Sequence, residues 1–121
     1  MKEKSVISTH FPYLPLTVSI RKRQETIEAL LDTGFDGGVV IPPHLITNSA
    51  PPDSYVRWTL ADGSPVLAPA YLGMVKIGDL GNAGTFATVI SVLGDVPIIG
   101  RTLADRFKIT LDHGRRVVLT V

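Results

Sequence analysis

Apolar and polar residues alternate along most of this chain with a period of two, which is typical of β-strands. The alternation predicts a strand over residues 13–20 and a second over 25–31, separated by a basic turn. Later apolar runs predict further strands over residues 39–41, 55–61, 66–77, 85–93, 97–99, 108–111 and 116–121. A chain of about eight or nine short strands with close turns indicates an all-β fold.

A helical period occurs in one convincing place, directly behind Gly100. Leu103 and Phe107 are four residues apart and would share one face of a helix, which predicts a helix over 101–107. Pro43 suits the first position of one short helical turn that runs to Ile46.

The dipeptide Asp62-Gly63 separates two strand-like runs, and this pattern predicts a β-hairpin. Pro65 and Pro69 follow in the second run. Because proline cannot donate a hydrogen bond to a sheet, they predict an irregular or edge strand.

The length of 121 residues suits a single domain over 1–121, in which we expect residues 1–12 to form a loosely ordered segment. The net charge of +1 argues against a nucleic-acid binder that relies on phosphate contacts. Cysteine is absent, which excludes disulfides, thiolate chemistry and cysteine-ligated zinc. The three histidines lie far apart in sequence, so we expect neither a metal site nor a cofactor.

No stretch approaches the roughly 18 apolar residues of a membrane span. The charged start of the chain is not followed by an apolar signal core, because polar residues and a proline interrupt it. We therefore expect a soluble, cytoplasmic protein without nucleic-acid or membrane partners.

The tripeptide Asp32-Thr33-Gly34 closes an apolar run and leads into the glycine-containing turn 35–38. A carboxylate at the end of a buried strand is poorly solvated, so its pKa depends on its neighbours and it can serve in catalysis. The plainer interpretation is a turn aspartate that accepts backbone N–H bonds. A second motif, residues 97–101, repeats the pattern of an apolar strand that runs into a glycine turn.

These motifs in this order, Leu30-Leu31-Asp32-Thr33-Gly34, a hairpin at Asp62-Gly63 and Ile98-Ile99-Gly100-Arg101 before a short helix, resemble the retropepsin-like aspartic proteases of clan AA. The resemblance covers residues 14–121, and the run behind Gly100 is similar to small bacterial members. It implies a closed β-barrel with one short C-terminal helix. It also implies a homodimeric aspartic endopeptidase that cleaves peptide or protein substrates without a cofactor.

The resemblance implies that Asp32 is the catalytic aspartate, one from each subunit. Thr33 would brace the two active-site turns through its hydroxyl, and Gly34 would let the backbone pass close to the partner aspartate and the substrate. The residues implied to contact substrate, as pocket or flap, are Phe35, Asp36, Ala61, Asp62, Gly63 and Ile99. Asp62-Gly63 would form the flap tip.

Gly100 and Arg101 are implied to be structural residues near the site, with Asp36 and Arg101 forming an ion pair. The chain departs from retroviral members at Phe35, where they carry a small residue. Phe35 is either a pocket wall or a mark of the bacterial subgroup. The flap has one glycine and a proline instead of a glycine-rich tip, and residues 117–121 are the candidate strand for interleaving in a dimer.

The chain contains one Asp-Thr-Gly, so the mechanism requires a second copy to supply the other carboxylate. Two carboxylates about 3 Å apart cannot both ionise, so that one retains a proton. Two alternatives stay open: a catalytically silent retropepsin-fold module that binds peptides or dimerises, and an unrelated small β-barrel with an incidental Asp-Thr-Gly.

Overall fold

The computed structural model describes residues 5–46 and 51–121, and β-strands make up most of them. The described residues form ten strands: β1 (Ser5–Ser8), β2 (Tyr13–Ile20), β3 (Arg23–Leu31), β4 (Val39–Ile41), β5 (Ser54–Thr59), β6 (Pro65–Ile77), β7 (Thr85–Val92), β8 (Ile98–Ile99), β9 (Lys108–Asp112) and β10 (Arg116–Thr120). The described helices are short: α1 (Arg101–Ala104) and two 3-10 turns, Pro43–Leu45 and Gly81–Gly84. The all-β prediction is confirmed.

Six strands form a closed barrel in the order β2-β3-β8-β4-β7-β6, because β6 pairs again with β2. Strand β5 pairs with β6 outside this ring and forms a hairpin with it. The pairings β3–β8 and β4–β7 are parallel, and the other pairings of the barrel are antiparallel. The predicted closed barrel is therefore present.

The barrel interior is filled by the apolar residues of the alternating pattern. In β2 every second residue is buried, from Leu14 to Ile20, while the residues between them are half-exposed. Each fully buried Leu or Ile side chain contributes about 1.5–3 kcal/mol relative to an exposed one. The largest side chains that are almost fully enclosed include Leu14, Leu16, Ile77, Leu80, Ile90, Ile99 and Leu103.

A second sheet of three strands has the order β1-β10-β9. The expectation of a loosely ordered segment over 1–12 is wrong for residues 5–8, because β1 pairs with β10 and buries Val6. Residues 1–4 lie outside the described residues. The expectation that residues 117–121 interleave with a second copy also needs correction. Strand β10 already has a neighbour on each side and cannot accept another strand.

Pro65 and Pro69 lie in the first part of β6, where β5 is the paired neighbour, and pairing with β7 begins at Ala70. The prediction of edge character is thus confirmed for this part of the strand. The predicted helix 101–107 is shorter, because α1 ends at Ala104 and the chain continues in tight turns, with the Phe107 N–H donating to the Ala104 carbonyl at 3.1 Å. Among the described residues, no helix has the length and apolar character needed to cross a membrane.

Candidate active site

Strand β8 holds the Asp32 turn in place by pairing with the strands on either side of it. It runs between β3 and β4, the two strands that enter and leave the turn, and pairs Leu31 with Ile99 and Val39 with Ile99. The Asp32 N–H donates to the Ile99 carbonyl at 3.0 Å, so the ladder continues to the start of the motif. The two segments of similar sequence, the apolar strands that end at Asp32 and at Gly100, therefore lie side by side.

The start of α1 fixes the far side of the same turn. The N–H of Arg101 donates to the Phe35 carbonyl at 2.8 Å, and the N–H of Thr102 donates to the Gly37 carbonyl at 3.1 Å. The Thr102 hydroxyl donates to the Asp36 carbonyl at 3.0 Å. Three consecutive carbonyls of the turn are thus satisfied by one segment that lies over 60 residues away in sequence.

Gly100 allows this close approach. A Cβ atom at this position would lie closer than 3.0 Å to the Gly37 carbonyl oxygen and to two atoms of Phe35. Since Gly100 has an extended backbone that any residue can adopt, its requirement for glycine comes from space alone. The predicted structural role of Gly100 agrees with this geometry.

Asp32 is half-buried, and Thr33 and Gly34 beside it are exposed. One oxygen of the Asp32 carboxylate accepts the Gly34 N–H at 2.9 Å. This bond is typical of aspartates in turns, so it is common to the catalytic and the plain turn interpretation. The Thr33 hydroxyl forms no hydrogen bond within residues 5–46 and 51–121.

A groove of about 1000 Å³ runs along the turn. Its walls come from residues 32–36, from residues 57–61 of the hairpin and from the loop 93–96, together with Val40, Ile98 and Arg101. The structure thus brings Asp32, Thr33, Gly34, Phe35, Asp36 and Ala61 together on one surface, as the sequence predicted. A volume of this size is at the upper end for small-molecule sites and suits an elongated ligand.

Asp62 and Gly63 form the hairpin tip but do not line the groove. Both are exposed, and Gly63 adopts a positive φ of 86° that favours glycine. The Asp62 carboxylate accepts hydrogen bonds from the hydroxyl and the N–H of Ser64, which hold the pKa of Asp62 below its ordinary value. The expected hairpin is present, with its tip beyond the wall that Leu60 and Ala61 form.

The prediction that Ile99 faces the ligand is wrong. Ile99 is 1% exposed and belongs to the barrel core, whereas its neighbour Ile98 lines the groove. Successive residues of a strand point to opposite faces, so only one of the two can reach the groove.

The expected ion pair between Asp36 and Arg101 is not formed in the described part of the chain. The Arg101 guanidinium donates instead to the Asp105 carboxylate at 3.1 Å. These two residues are four apart, a spacing that brings side chains together on one side of a helical turn. Asp36 contacts the α1 segment through its backbone carbonyl, not its carboxylate.

Trp58 also lines the groove. Its indole N–H donates to the Ser91 hydroxyl at 3.0 Å, and its ring meets the Phe35 ring edge-on with centroids 4.8 Å apart. Leu60 and Val96 also line the groove and are partly exposed. The alternation of Trp58 and Leu60 before the hairpin turn was the available signal for a shared face.

Within the described residues, no three side chains of His, Asp or Glu lie close enough together to hold a metal ion. The groove lining carries three carboxylates, two threonine hydroxyls, two guanidinium groups and apolar walls; its polar members are Asp32, Asp36, Asp95, Thr33, Thr59, Arg57 and Arg101. No model of a known protein family and no curated protein matches this chain.

Proposed function

We propose that this chain is a homodimeric aspartic endopeptidase of the retropepsin type. The observation that carries the proposal is the position of Asp32, whose backbone is fixed by β8 and whose turn lines a groove of about 1000 Å³. A fixed position for the reacting group and an open groove beside it are what hydrolysis of a bound peptide requires.

Two Asp32 carboxylates would carry out the reaction, one from each copy. Held about 3 Å apart, they share one proton. The ionised carboxylate takes a proton from water, whose oxygen bonds to the scissile carbonyl carbon, while the protonated carboxyl donates to the carbonyl oxygen. Collapse of this intermediate breaks the C–N bond: the leaving amine takes the proton that the first carboxylate received from water, and one hydroxyl of the intermediate gives its proton to the second carboxylate.

The exposed face of the turn supports a partner at this place. Thr33 and Gly34 are exposed, and the Thr33 hydroxyl is without a hydrogen bond in the described residues. A two-fold axis beside the turn would bring two Asp32 side chains together and offer each Thr33 a partner. The missing carboxylate and the unpaired hydroxyl would thus be completed by the same contact.

The small sheet offers a further contact surface. Its outer edges are β1 and β9, and the exposed apolar side chains there are Ile7 at 57%, Leu111 at 55% and, just behind β10, Val121 at 56%. We therefore place the remaining dimer contacts at these edges and not at β10. A stable interface buries about 1,200–2,000 Å² in total, which requires such a contact besides the turn.

Sedimentation equilibrium of the wild type and Asp32→Asn, run together with cleavage of a mixed peptide library, tests the proposal. We expect both proteins to dimerise and only the wild type to cleave. Asp79→Asn is the matched control, because the Asp79 side chain is fully exposed and does not line the groove, and this variant should cleave like the wild type.

A dimer that never cleaves would favour the silent peptide-binding or dimerisation module. Turnover by Asp32→Asn, or a monomer at high concentration, would contradict the mechanism.

A further inference from the structure

We propose that Phe35 and Trp58 form a fixed aromatic wall of the groove beside Asp32, so that a bound peptide must carry a small side chain where it passes this wall. The inference rests on the proposed function in taking an extended peptide as the ligand. It adds which peptides are accepted: those with Gly, Ala or Ser at that one position.

The two rings pack against each other across the groove wall. Phe35 belongs to the Asp32 turn, and its N–H donates to the Asp32 carbonyl at 3.3 Å. Trp58 belongs to β5, and the rings meet at an interplanar angle of 63° with a centroid distance of 4.8 Å. This edge-to-face arrangement is a favoured geometry for aromatic pairs. It joins the turn to the hairpin and occupies the space between them.

Trp58 is held from behind by Ser91. The indole N–H donates to the Ser91 hydroxyl at 3.0 Å, and Ser91 is 1% exposed. If a ligand pushed the indole aside, this hydroxyl would lose its partner in a place that water does not reach freely. A buried polar group without a partner is costly, so the indole resists displacement.

The Phe35 ring packs closely against the backbone at two glycines, Gly37 and Gly100. A Cβ atom on Gly37 would lie closer than 3.0 Å to the Phe35 ring and to Trp58, and one on Gly100 would lie equally close to the Phe35 ring. The ring therefore lies directly on the backbone at both positions, and neither offers space into which it could retreat. Both aromatic side chains thus line the groove and are held in place by contacts on their opposite side.

A fixed wall selects by size. A large apolar side chain at this position would have to displace one of the rings, whereas Gly, Ala or Ser would pass in front of them. One methylene group in a well-defined pocket changes selectivity by about 10- to 200-fold. We expect a difference of at least about tenfold in Kd between Ala and Leu at the position that meets the wall.

Trp58 is the chain's single tryptophan, so its fluorescence reports binding at the wall. In the Asp32→Asn background, which removes cleavage, we would titrate peptides that differ at one position by Gly, Ala, Leu or Phe. Each position of the peptide is varied in turn. We expect one position to reject Leu and Phe, and the additional substitution Phe35→Ala to remove this rejection. Tyr55→Ala is the matched control, because Tyr55 is an exposed aromatic residue of β5 outside the groove, and it should keep the preference.

The outcomes separate the two proposals. Binding with the expected size preference but without wild-type cleavage would refute the protease and support the wall. Equal binding of all side chains at every position, or an unchanged preference in Phe35→Ala, would overturn the wall whether or not the protein cleaves. If no peptide binds to Asp32→Asn, with or without Phe35→Ala, both proposals fail.

Should Phe35→Ala not fold, Phe35→Leu and Ser91→Ala replace it. The first shortens the wall and the second removes the hydrogen bond that fixes Trp58. Each should weaken the rejection of Leu without abolishing binding, and an unchanged preference in both would contradict the proposal.

Discussion

Gly100→Ala is the substitution that best tests how the candidate site is held together. The added methyl group would lie closer than 3.0 Å to the Gly37 carbonyl oxygen and to the ring and carbonyl of Phe35. These atoms belong to the turn that carries Asp32. Because the Gly100 backbone is extended, alanine costs nothing in conformation, and the whole effect must come from pushing the turn away from α1.

Two contributions set the magnitude. Overpacking in a well-packed region costs about 1–3 kcal/mol. Moving the turn also weakens the two backbone hydrogen bonds that Phe35 and Gly37 accept from the start of α1, at about 0.5–1.5 kcal/mol each. The expected loss in the free energy of unfolding is about 2–6 kcal/mol, which for a domain of this size lowers Tm by roughly 8–24 °C. Since domains have about 5–15 kcal/mol in total, most of this range leaves a folded protein.

Thermal unfolding of Gly100→Ala beside Gly114→Ala gives the comparison. Gly114 lies in the turn between β9 and β10 with a φ of 68° and open space around it, so alanine there meets only the conformational cost of about 1–2 kcal/mol. We expect Gly100→Ala to lower Tm more than Gly114→Ala does, and to cleave peptides more slowly than the wild type at temperatures below its Tm. A smaller loss at Gly100 than at Gly114, or full cleavage by folded Gly100→Ala, would refute the idea that α1 positions the turn.

Two further predictions concern pH. Cleavage should have an acidic optimum, because the Asp32 pair must retain one proton, and a rate that rises steadily above neutral pH in a pH–rate profile would contradict this. Asp53 accepts the Leu72 N–H at 2.8 Å and pairs with Arg21, which holds the pKa of Asp53 below 3.8. A carboxylate whose pKa is lowered on folding stabilises the folded state at pH values above its unfolded-state pKa. This stabilisation is lost as the pH falls through the folded-state pKa. Asp53→Asn should therefore lower Tm at pH 7, and its Tm should converge with that of the wild type once the pH has fallen through the lowered pKa of Asp53, as thermal unfolding across pH would show; a constant difference would count against the pairing.

The sequence predicted most of the strands because local rules govern them. The alternation in β2 puts one face into the core, and the Asp62-Gly63 turn fixes its hairpin irrespective of the rest of the chain. Strand β1 was missed because it is four residues long and its partner β10 is more than 100 residues away. No local signal distinguishes such a segment from an irregular terminus.

The prediction of the site failed in two respects: which side chain of a strand faces the groove, and which of several possible partners a charged side chain binds. The choice between Ile98 and Ile99 depends on which face of β8 meets the groove, and this is set by its insertion between β3 and β4. We expected Arg101 to pair with Asp36, but its guanidinium contacts Asp105, which lies four residues away on the same helical turn. Both errors concern tertiary placement and not residue type.

The fold fixes the backbone of Asp32 far more firmly than it fixes its carboxylate. The Asp32 N–H is part of the β8 ladder and three neighbouring carbonyls are held by α1, yet the carboxylate itself accepts one described hydrogen bond, from Gly34. The single chain thus supplies position, and the group that would make the carboxylate reactive must be brought to it. In the proposed dimer, a second Asp32 across a two-fold axis would supply such a group, and only when the two copies associate. Under the proposed mechanism, dilution below the dimer dissociation constant removes catalysis while every contact within the chain stays in place.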